Sequence, residues 1–288
     1  MKFIHTFWSK PLKDNKDYNL NLCAHLTDYA YSAHCIHKLG ETIELYADEY
    51  GAELLSFIPY DKVHIVQNID ENNSYFFAQM KLYALKDCEL GDVLIDGDLF
   101  ILKRNVIDKI QKNSNIDLIY SYFEPYEFVV GNEKYKEYSK NNSEIVKKSN
   151  IIFKEPYKWP SEDNEFEWMN TSLLIFNNQE LKQRYINDQF LYQKELNDVK
   201  WDKMLPDVVL EQRFLTLLAK EYTSIPIIEN TFLEKEKIQE ESNNIGLTHL
   251  CTQKKYAIKQ FMYMLMISNN ELYNKLQTQI IKYKNGGY

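Results

Sequence analysis

The sequence predicts an α/β protein with a mostly parallel sheet flanked by helices and an irregular, helical C-terminal half. Short apolar runs alternate with amphipathic segments over the first 120 residues, which is typical of parallel strands joined by helices. A hydrophobic share of 44% in 288 residues is enough for a sizeable core. Because no internal repeat or obvious linker interrupts the pattern, we expect one domain over 1–288, with residues 1–125 and 126–288 as its two halves.

The first half of the sequence carries the pattern that predicts the parallel sheet. The first helix is predicted because the following residues recur at helical spacing: Leu22, Leu26, Tyr29, Ala30, Ala33 and His37. Gly40 ends this helix. Met80, Tyr83 and Ala84 indicate a second helix, which leads into a strand. Strands are expected at residues 2–8, 43–46, 63–66, 93–95 and 116–120.

The second half is less regular. A polar stretch with few apolar residues predicts an excursion or lid, and two amphipathic helices are expected in the tail. The predicted elements are the lid at 131–150, a strand at 173–176, a helix at 208–219 and tail helices around 258–265 and 272–280.

Charge, cysteine usage and hydropathy exclude several function classes. A net charge of −8 argues against a nucleic-acid partner, because phosphate backbones attract clustered Lys and Arg. The four cysteines include no C-x-x-C pair, so a zinc or thioredoxin-like site has no support and scattered thiols fit a reducing compartment. The opening residues are too polar for a signal peptide, and no apolar run is long enough to cross a bilayer. We expect a cytoplasmic protein without a transmembrane segment.

The most informative motif is the apolar run 93–95 followed by Asp96-Gly97-Asp98 and a second apolar run. If the first run is a buried strand, both carboxylates emerge at the carboxyl edge of the sheet, where open α/β sheets bind ligands. Two hard oxygen ligands there suit Mg²⁺ or Mn²⁺ carrying a phosphorylated substrate. Aspartates also end strands and cap helices for structural reasons alone, so the pair by itself leaves that alternative open.

A phosphatase of the haloacid-dehalogenase type is the main rival enzyme, since it also carries an apolar D-x-D motif. In that superfamily a Thr or Val usually follows two residues after the second aspartate, where this chain has Phe100. About ninety residues of α/β pattern also precede the motif here, whereas there it normally opens the domain. A non-catalytic nucleotide-binding protein is the other alternative.

The order of segments along the chain resembles that of GT-A glycosyltransferases with a DXD motif, in particular small bacterial and phage-type sugar transferases. The resemblance covers most of the chain and implies a GT-A-like fold. The matching segments are His5-Thr6-Phe7-Trp8, the turn at Asp48, the helix with Lys81, Asp96-Gly97-Asp98, Trp168-Met169-Asn170-Thr171, Glu211-Gln212 and Thr248-His249-Leu250. Ser172 departs from the family pattern, which has glycine there.

The resemblance implies a metal-dependent transfer of a sugar from a nucleotide diphosphate sugar, with UDP-sugar the expected donor. Asp98 would bind the metal directly, Asp96 would contact the ribose and the metal, and His249 would be a third ligand. A nitrogen ligand favours Mn²⁺ over Mg²⁺. A surface position is an equally ordinary explanation for His249.

The remaining site residues are assigned by the same resemblance. His5, Thr6 and Asp48 would hold the nucleoside, and Lys81 would pair with phosphate or sugar. Asn170 and the Glu211-Gln212 pair would face the donor sugar and a carbohydrate or other hydroxyl acceptor, with either Glu211 or Gln212 as the key group. The sequence specifies neither the sugar, the acceptor nor the stereochemical outcome.

Overall fold

The computed structural model describes residues 1–14, 18–69, 76, 78–124, 168–196, 209–230, 235–250 and 254–284. The chain divides into two compact units. Unit 1 comprises residues 1–71, 92–107 and 245–288, and unit 2 comprises residues 72–91 and 108–244. Each unit therefore combines segments from both predicted halves of the sequence, and the single domain stays a prediction.

The strands and helices are numbered here in chain order within the described residues. The strands are β1 (Lys2–Phe7), β2 (Thr42–Ala47), β3 (Lys62–Ile65), β4 (Val93–Ile95), β5 (Leu99–Ile101), β6 (Leu118–Glu124), β7 (Trp168–Phe176), β8 (Ser224–Ile228) and β9 (Leu247–His249). The α-helices are α1 (Ser9–Lys13), α2 (Tyr18–Lys38), α3 (Glu49–Leu54), α4 (Gln79–Asp87), α5 (Asn105–Lys112), α6 (Gln179–Leu196), α7 (Phe214–Ala219), α8 (Lys235–Ile245), α9 (Lys254–Ser268) and α10 (Asn270–Lys284). A π-helical turn, Val209–Arg213, precedes α7.

Unit 1 is built on four parallel strands in the order β3-β2-β1-β4. Helix α2 packs over this sheet with Leu22, Leu26 and Ala30, which recur every four residues and are fully buried. Gly40 follows α2 with a φ of +78°, a conformation that favours glycine, so it ends the helix as predicted. Because the strands are parallel, the carboxyl ends of β1, β2, β3 and β4 lie at one edge of the sheet.

Unit 2 is built on β6, which pairs antiparallel with β7 and parallel with β8. All nine residues of β7 are buried, so it shows no alternation of polar and apolar residues. The predicted strand at 173–176 is therefore confirmed but begins earlier, at Trp168. The π-helical turn packs on β7 and leads into α7, where the sequence predicts one continuous helix over 208–219.

The predicted fold class is confirmed, because the strand pairs described above are mostly parallel and helices flank them. Four of these pairs are parallel, and two, β5 with β9 and β6 with β7, are antiparallel. The predicted lid at 131–150 lies outside the described residues. No described helix combines the length and apolar character that a membrane span requires.

Candidate functional site

The two aspartates occupy a tight turn between β4 and β5. The backbone N–H of Leu99 donates to the carbonyl of Asp96 over 3.0 Å, which closes the turn. A Cβ on Gly97 would lie only 2.2 Å from the ring of Tyr29. The Tyr29 hydroxyl in turn donates to the carbonyl of Thr6 over 2.6 Å. Gly97 is therefore needed because an aromatic ring packs against its Cα, and not because the turn requires a left-handed backbone.

Strand pairing brings His249 to the aspartate turn from the distant end of the chain. Strand β9 pairs antiparallel with β5, so His249 lies opposite Leu99. The backbone N–H of Leu250 donates to the carbonyl of Asp98 over 3.2 Å. Gly246 precedes the strand with a φ of +81°, and a Cβ there would lie 2.8 Å from the backbone nitrogen of Lys103. The start of β9 is thus held close to the chain after β5.

Asp96, Asp98 and His249 have the geometry and chemistry of a metal site. One ligand atom from each lies within 4.8 Å of the other two, and this is the one such group found among the described residues. His249 Nε2 and Asp98 Oδ1 are 3.7 Å apart. Two ligands at about 2.1 Å from one ion are separated by about 3.0 Å at a right angle and by about 4.2 Å across it. Two carboxylates and one imidazole therefore fit Mn²⁺ or Mg²⁺ after small adjustments.

His5 lies in the core of unit 1, where both ring nitrogens have partners. Ser32 donates its hydroxyl proton to the carbonyl of Leu99, so Ser32 Oγ accepts from His5 Nε2–H over 3.0 Å. His5 Nδ1 then accepts from the Tyr60 hydroxyl over 2.9 Å. Burial lowers the pKa of His5 to about 3, although the negative charge of Asp98 opposes the shift. The ring is therefore neutral at pH 7, and its hydrogen bonds tie β1 to the turn region.

Asp48 is placed by the end of β2 at the carboxyl edge of the unit 1 sheet. Its Oδ1 caps α3 by accepting from Gly51 N–H over 3.1 Å, and it also accepts from Ser9 N–H over 3.1 Å. Asp48 borders a pocket of about 570 Å³. The other residues that line the pocket are Lys13, Glu49, Tyr50, Val66, Gln67, Asn68 and Ile69.

Two features shape this pocket at the edge of the sheet. Asn68 has a φ of +57°, a left-handed conformation that is uncommon for a residue with a side chain. The ammonium of Lys13 lies 3.7 Å from the centre of the Tyr50 ring, within range of a cation–π contact. The pocket thus offers an aromatic ring, a cation and a carboxylate.

Unit 2 holds a second polar cluster, formed by Lys81, Thr171 and Glu211. Glu211 lies on the π-helical turn and is 6% exposed. Its Oε1 accepts from Lys81 Nζ over 2.6 Å and from Thr171 Oγ1 over 2.7 Å. Two residues with separate predicted roles, Lys81 and Glu211, are therefore paired with each other. The sequence interpretation missed Thr171, for which the only signal is its place directly after Asn170.

Asn170 belongs to a buried polar network of unit 2. Its Oδ1 accepts from Ser121 Oγ over 2.7 Å and from the backbone N–H of Ser172 over 3.0 Å. Its Nδ2 donates to Glu124 Oε1 over 2.9 Å. Ser172, which stands where the family pattern has glycine, also donates its hydroxyl to Ser121 Oγ over 2.9 Å. The serine is thus a member of the network that fixes the Asn170 amide.

Gln212 differs from its neighbour Glu211 in the state of its side chain. The Gln212 backbone carbonyl accepts from Thr216 Oγ1 over 2.7 Å. Its side-chain Oε1 is buried and, within the part of the chain that the structure describes, has no hydrogen-bond partner. Buried polar atoms normally have one, so an available acceptor here calls for an explanation.

Comparison with known proteins identifies the family. A family model described as a family of unknown function (DUF6734) matches residues 1–279. The chain belongs to this family. No curated protein matches the sequence.

Several solved structures of glycosyltransferases resemble this chain at low sequence identity. The apo form of GlyE from Streptococcus pneumoniae TIGR4 is 10% identical in sequence, with a TM-score of 0.46. The match covers 96% of this chain and 63% of GlyE. The galactosyltransferase LgtC, solved with donor and acceptor sugar analogs, is 10% identical with a TM-score of 0.47 and 95% coverage of both chains. Mouse xyloside xylosyltransferase 1 is 11% identical with a TM-score of 0.40, covering 86% of this chain and 97% of that one.

The chain spans 63% of the GlyE length. The side chains of this DUF6734 member form a candidate metal centre in unit 1 and a hydrogen-bonded cluster of Lys81, Thr171 and Glu211 in unit 2.

Proposed function

We propose that this protein transfers a sugar from a nucleoside diphosphate sugar to a hydroxyl acceptor and requires a divalent cation. The observation that carries the proposal is the convergence of Asp96, Asp98 and His249 within 4.8 Å at the carboxyl end of β4. A carboxyl-edge site with two hard oxygen ligands is suited to a cation that carries a diphosphate.

Asp96, Asp98 and His249 would hold Mn²⁺ or Mg²⁺, and the nitrogen ligand favours Mn²⁺. When bound, the ion would supply Lewis-acid stabilisation of the departing diphosphate. The chain contributes a preorganised ligand set, because Tyr29 packs on Gly97 and the N–H of Leu250 holds the carbonyl of Asp98. His5 acts in this proposal as a positioning residue beneath the turn, through Ser32.

We assign the nucleoside to the pocket bordered by Asp48, with UDP as the donor nucleotide. The Tyr50 ring offers an apolar face, and the Lys13 ammonium offers charge to a phosphate. The carboxylate of Asp48 accepts from Gly51 N–H, Ser9 N–H and the Ser9 hydroxyl, so it holds the pocket wall in place and keeps one lone pair on Oδ2 for a ribose or base donor. Thr6 is half-buried at the end of β1 and stays a candidate nucleoside contact.

We assign the donor sugar and acceptor to Lys81, Asn170, Glu211 and Gln212. Glycosyl transfer passes through an oxocarbenium-like state, so fixed negative charge and oriented acceptors lower its energy. Glu211 Oε1 already accepts from Lys81 and Thr171, which fixes the orientation of the carboxylate and makes it poorly suited to removing a proton. The available Oε1 of Gln212 would accept a hydrogen bond from a sugar or acceptor hydroxyl.

A panel of UDP-sugars, scored for UDP release with and without Mn²⁺, tests the activity. We expect release that depends on Mn²⁺ for at least one sugar, and calorimetry should show UDP binding that requires the ion. Asp98→Asn should weaken Mn²⁺ binding by about a hundredfold, since a direct ligand is lost. Asp92→Asn is the matched control, because Asp92 precedes β4 and pairs with Lys2 Nζ at 2.7 Å.

Three results would contradict the proposal. Unchanged Mn²⁺ binding by Asp98→Asn would show that Asp98 is not a metal ligand and would contradict the assigned metal centre. Phosphate release from an aryl phosphate, without any need for a nucleotide sugar, would indicate a phosphatase. UDP binding with no turnover of any sugar donor would indicate a non-catalytic binding protein.

A further inference from the structure

The two C-terminal helices differ in charge from the rest of the chain. Residues 254–288 carry six lysines and one glutamate, a net charge of +5, in a chain whose net charge is −8. The residues before 254 therefore carry a net charge of −13. Such asymmetry indicates that this segment meets an acidic surface, because clustered lysines create a local positive potential that the chain as a whole does not have.

Helix α9 carries apolar residues on both of its faces. Its inner face packs on unit 1, where Phe261 stacks on Tyr31 at 4.8 Å and lies 4.5 Å from Phe100, measured between ring centres. Its outer face exposes 58% of Tyr263 and 59% of Ile267. Met264 and Met266 are each 37% exposed beside them. The core uses only the inner face, so folding of unit 1 does not explain the outer one.

A lysine lies on the same outer stripe as the exposed apolar residues. Lys259, Tyr263 and Ile267 follow at intervals of four residues, so they share one side of α9, and all three are exposed. The outer face of α9 thus combines aromatic and aliphatic groups with an ammonium group, a composition typical of helices that lie in a membrane interface.

The helices that carry this surface are fixed to unit 1. Gln279 Nε2 donates to the carbonyls of Glu53 and Leu54, each over 2.9 Å. Lys282 Nζ also pairs with the Glu53 carboxylate at 3.0 Å. The outer face of α9 is therefore presented by a folded unit, and docking it costs little ordering entropy.

We propose that the outer face of α9, defined by Lys259, Tyr263, Met266 and Ile267, docks on an anionic lipid surface. The helix would lie in the plane of the interface, with its apolar side chains among the acyl chains and its lysine at the headgroups. Charge complementarity favours this occupant. A symmetric contact of this face with a second copy would bring two Lys259 ammonium groups toward each other, which is electrostatically unfavourable. The proposal does not depend on the enzymatic activity.

Vesicle flotation of the full chain tests the proposal. We expect binding to vesicles of two parts phosphatidylcholine to one part phosphatidylglycerol, weaker binding at high salt, and little binding to phosphatidylcholine alone. The double variant Tyr263→Ser/Ile267→Ser should lower the partition coefficient by about tenfold or more, because two apolar side chains no longer enter the interface. Lys259→Glu should lower it by several-fold on the anionic vesicles.

Leu191→Ser is the matched control, since Leu191 is 48% exposed on α6 in unit 2, and its binding should equal that of the wild type. Circular dichroism checks that each variant is folded. Wild-type binding by the Tyr263/Ile267 variant, or no binding to either vesicle, would overturn the proposal. A dimer seen by light scattering that this variant dissociates would also overturn it and would assign the surface to a second copy of the chain.

Discussion

The two polar clusters of this protein differ in the charged groups that each brings together. In unit 2, the carboxylate of Glu211 accepts from Lys81 at 2.6 Å and from Thr171 at 2.7 Å, so opposite charges are paired within the chain. In unit 1, two carboxylates come together with His249, whose Nε2 lies 3.7 Å from Asp98, beyond hydrogen-bond distance. The first arrangement pairs opposite charges, whereas the second gathers two carboxylates and an imidazole, whose oxygen and nitrogen atoms suit a divalent cation.

The largest effect is expected when the Lys81 ammonium is removed from the unit 2 cluster. Lys81→Met should lower the free energy of unfolding by about 3–5 kcal/mol, because Glu211 would keep a buried charge without its ammonium partner. Urea unfolding followed by fluorescence measures the change. Lys81→Met/Glu211→Gln should recover most of the loss, since it removes both charges. In unit 1, by comparison, Asp98→Asn should change stability less, because Asn keeps an oxygen in the same place and removes charge from a site that holds two carboxylates.

The second test adds a divalent cation to the unit 1 cluster. Mn²⁺ at about a hundred times its dissociation constant should stabilise the protein by about 2.7 kcal/mol, because the ion binds the folded state only. Thermal unfolding with and without Mn²⁺ measures the shift. Asp98→Asn, which should bind Mn²⁺ about a hundredfold more weakly, should reduce the shift to about 0.4 kcal/mol at the same Mn²⁺ concentration, while Glu211→Gln should keep it. An equal shift in wild type and Asp98→Asn would contradict the assignment of the metal ligands.

The third test concerns the turn that positions the two aspartates. Gly97→Ala should destabilise the protein by about 1–3 kcal/mol, because the new Cβ would meet the Tyr29 ring and the ring is held by its hydrogen bond to Thr6. Urea unfolding and Mn²⁺ calorimetry together should show lower stability and weaker metal binding. Gly40→Ala is the comparison, since Gly40 has open space around it and only its φ of +78° to oppose a side chain. Wild-type stability of Gly97→Ala would show that Tyr29 moves aside freely.

The sequence predicts the unit 1 cluster better than the unit 2 cluster for a physical reason. Asp96 and Asp98 directly follow an apolar run, and the strand, the turn and the edge position of both carboxylates come from that local pattern. His249 required the family resemblance, because β5 and β9 are three-residue strands with no readable alternation. Their pairing is a long-range contact that only the folded structure reveals.

The contacts that define the unit 2 cluster have no local signature. Strand β7 is buried along its whole length, so its polar residues Asn170, Thr171 and Ser172 cannot be sorted into core and surface by period. The pairing of Lys81 with Glu211 joins residues 130 positions apart in the sequence. Equally, nothing in the residues near Gly97 shows that Tyr29 packs on it. Sequence patterns therefore identify the chemical groups, whereas their partners depend on tertiary packing.

The smallest expected effect concerns His5, the neutral buried group beneath the unit 1 cluster. Its pKa is about 3 in the folded protein and about 6.5 when unfolded, so the unfolded chain binds the extra proton as the pH falls below 6.5. This contribution to stability is fully present above pH 6.5 and decreases toward pH 3, by about 1.4 kcal/mol between pH 7.5 and 5.5. Urea unfolding of wild type and His5→Gln across this range should show the extra pH dependence only in the wild type. Equal slopes for the two proteins would mean that the fold does not lower the pKa of His5, and the assignment of Nδ1 as the acceptor from Tyr60 would then be wrong.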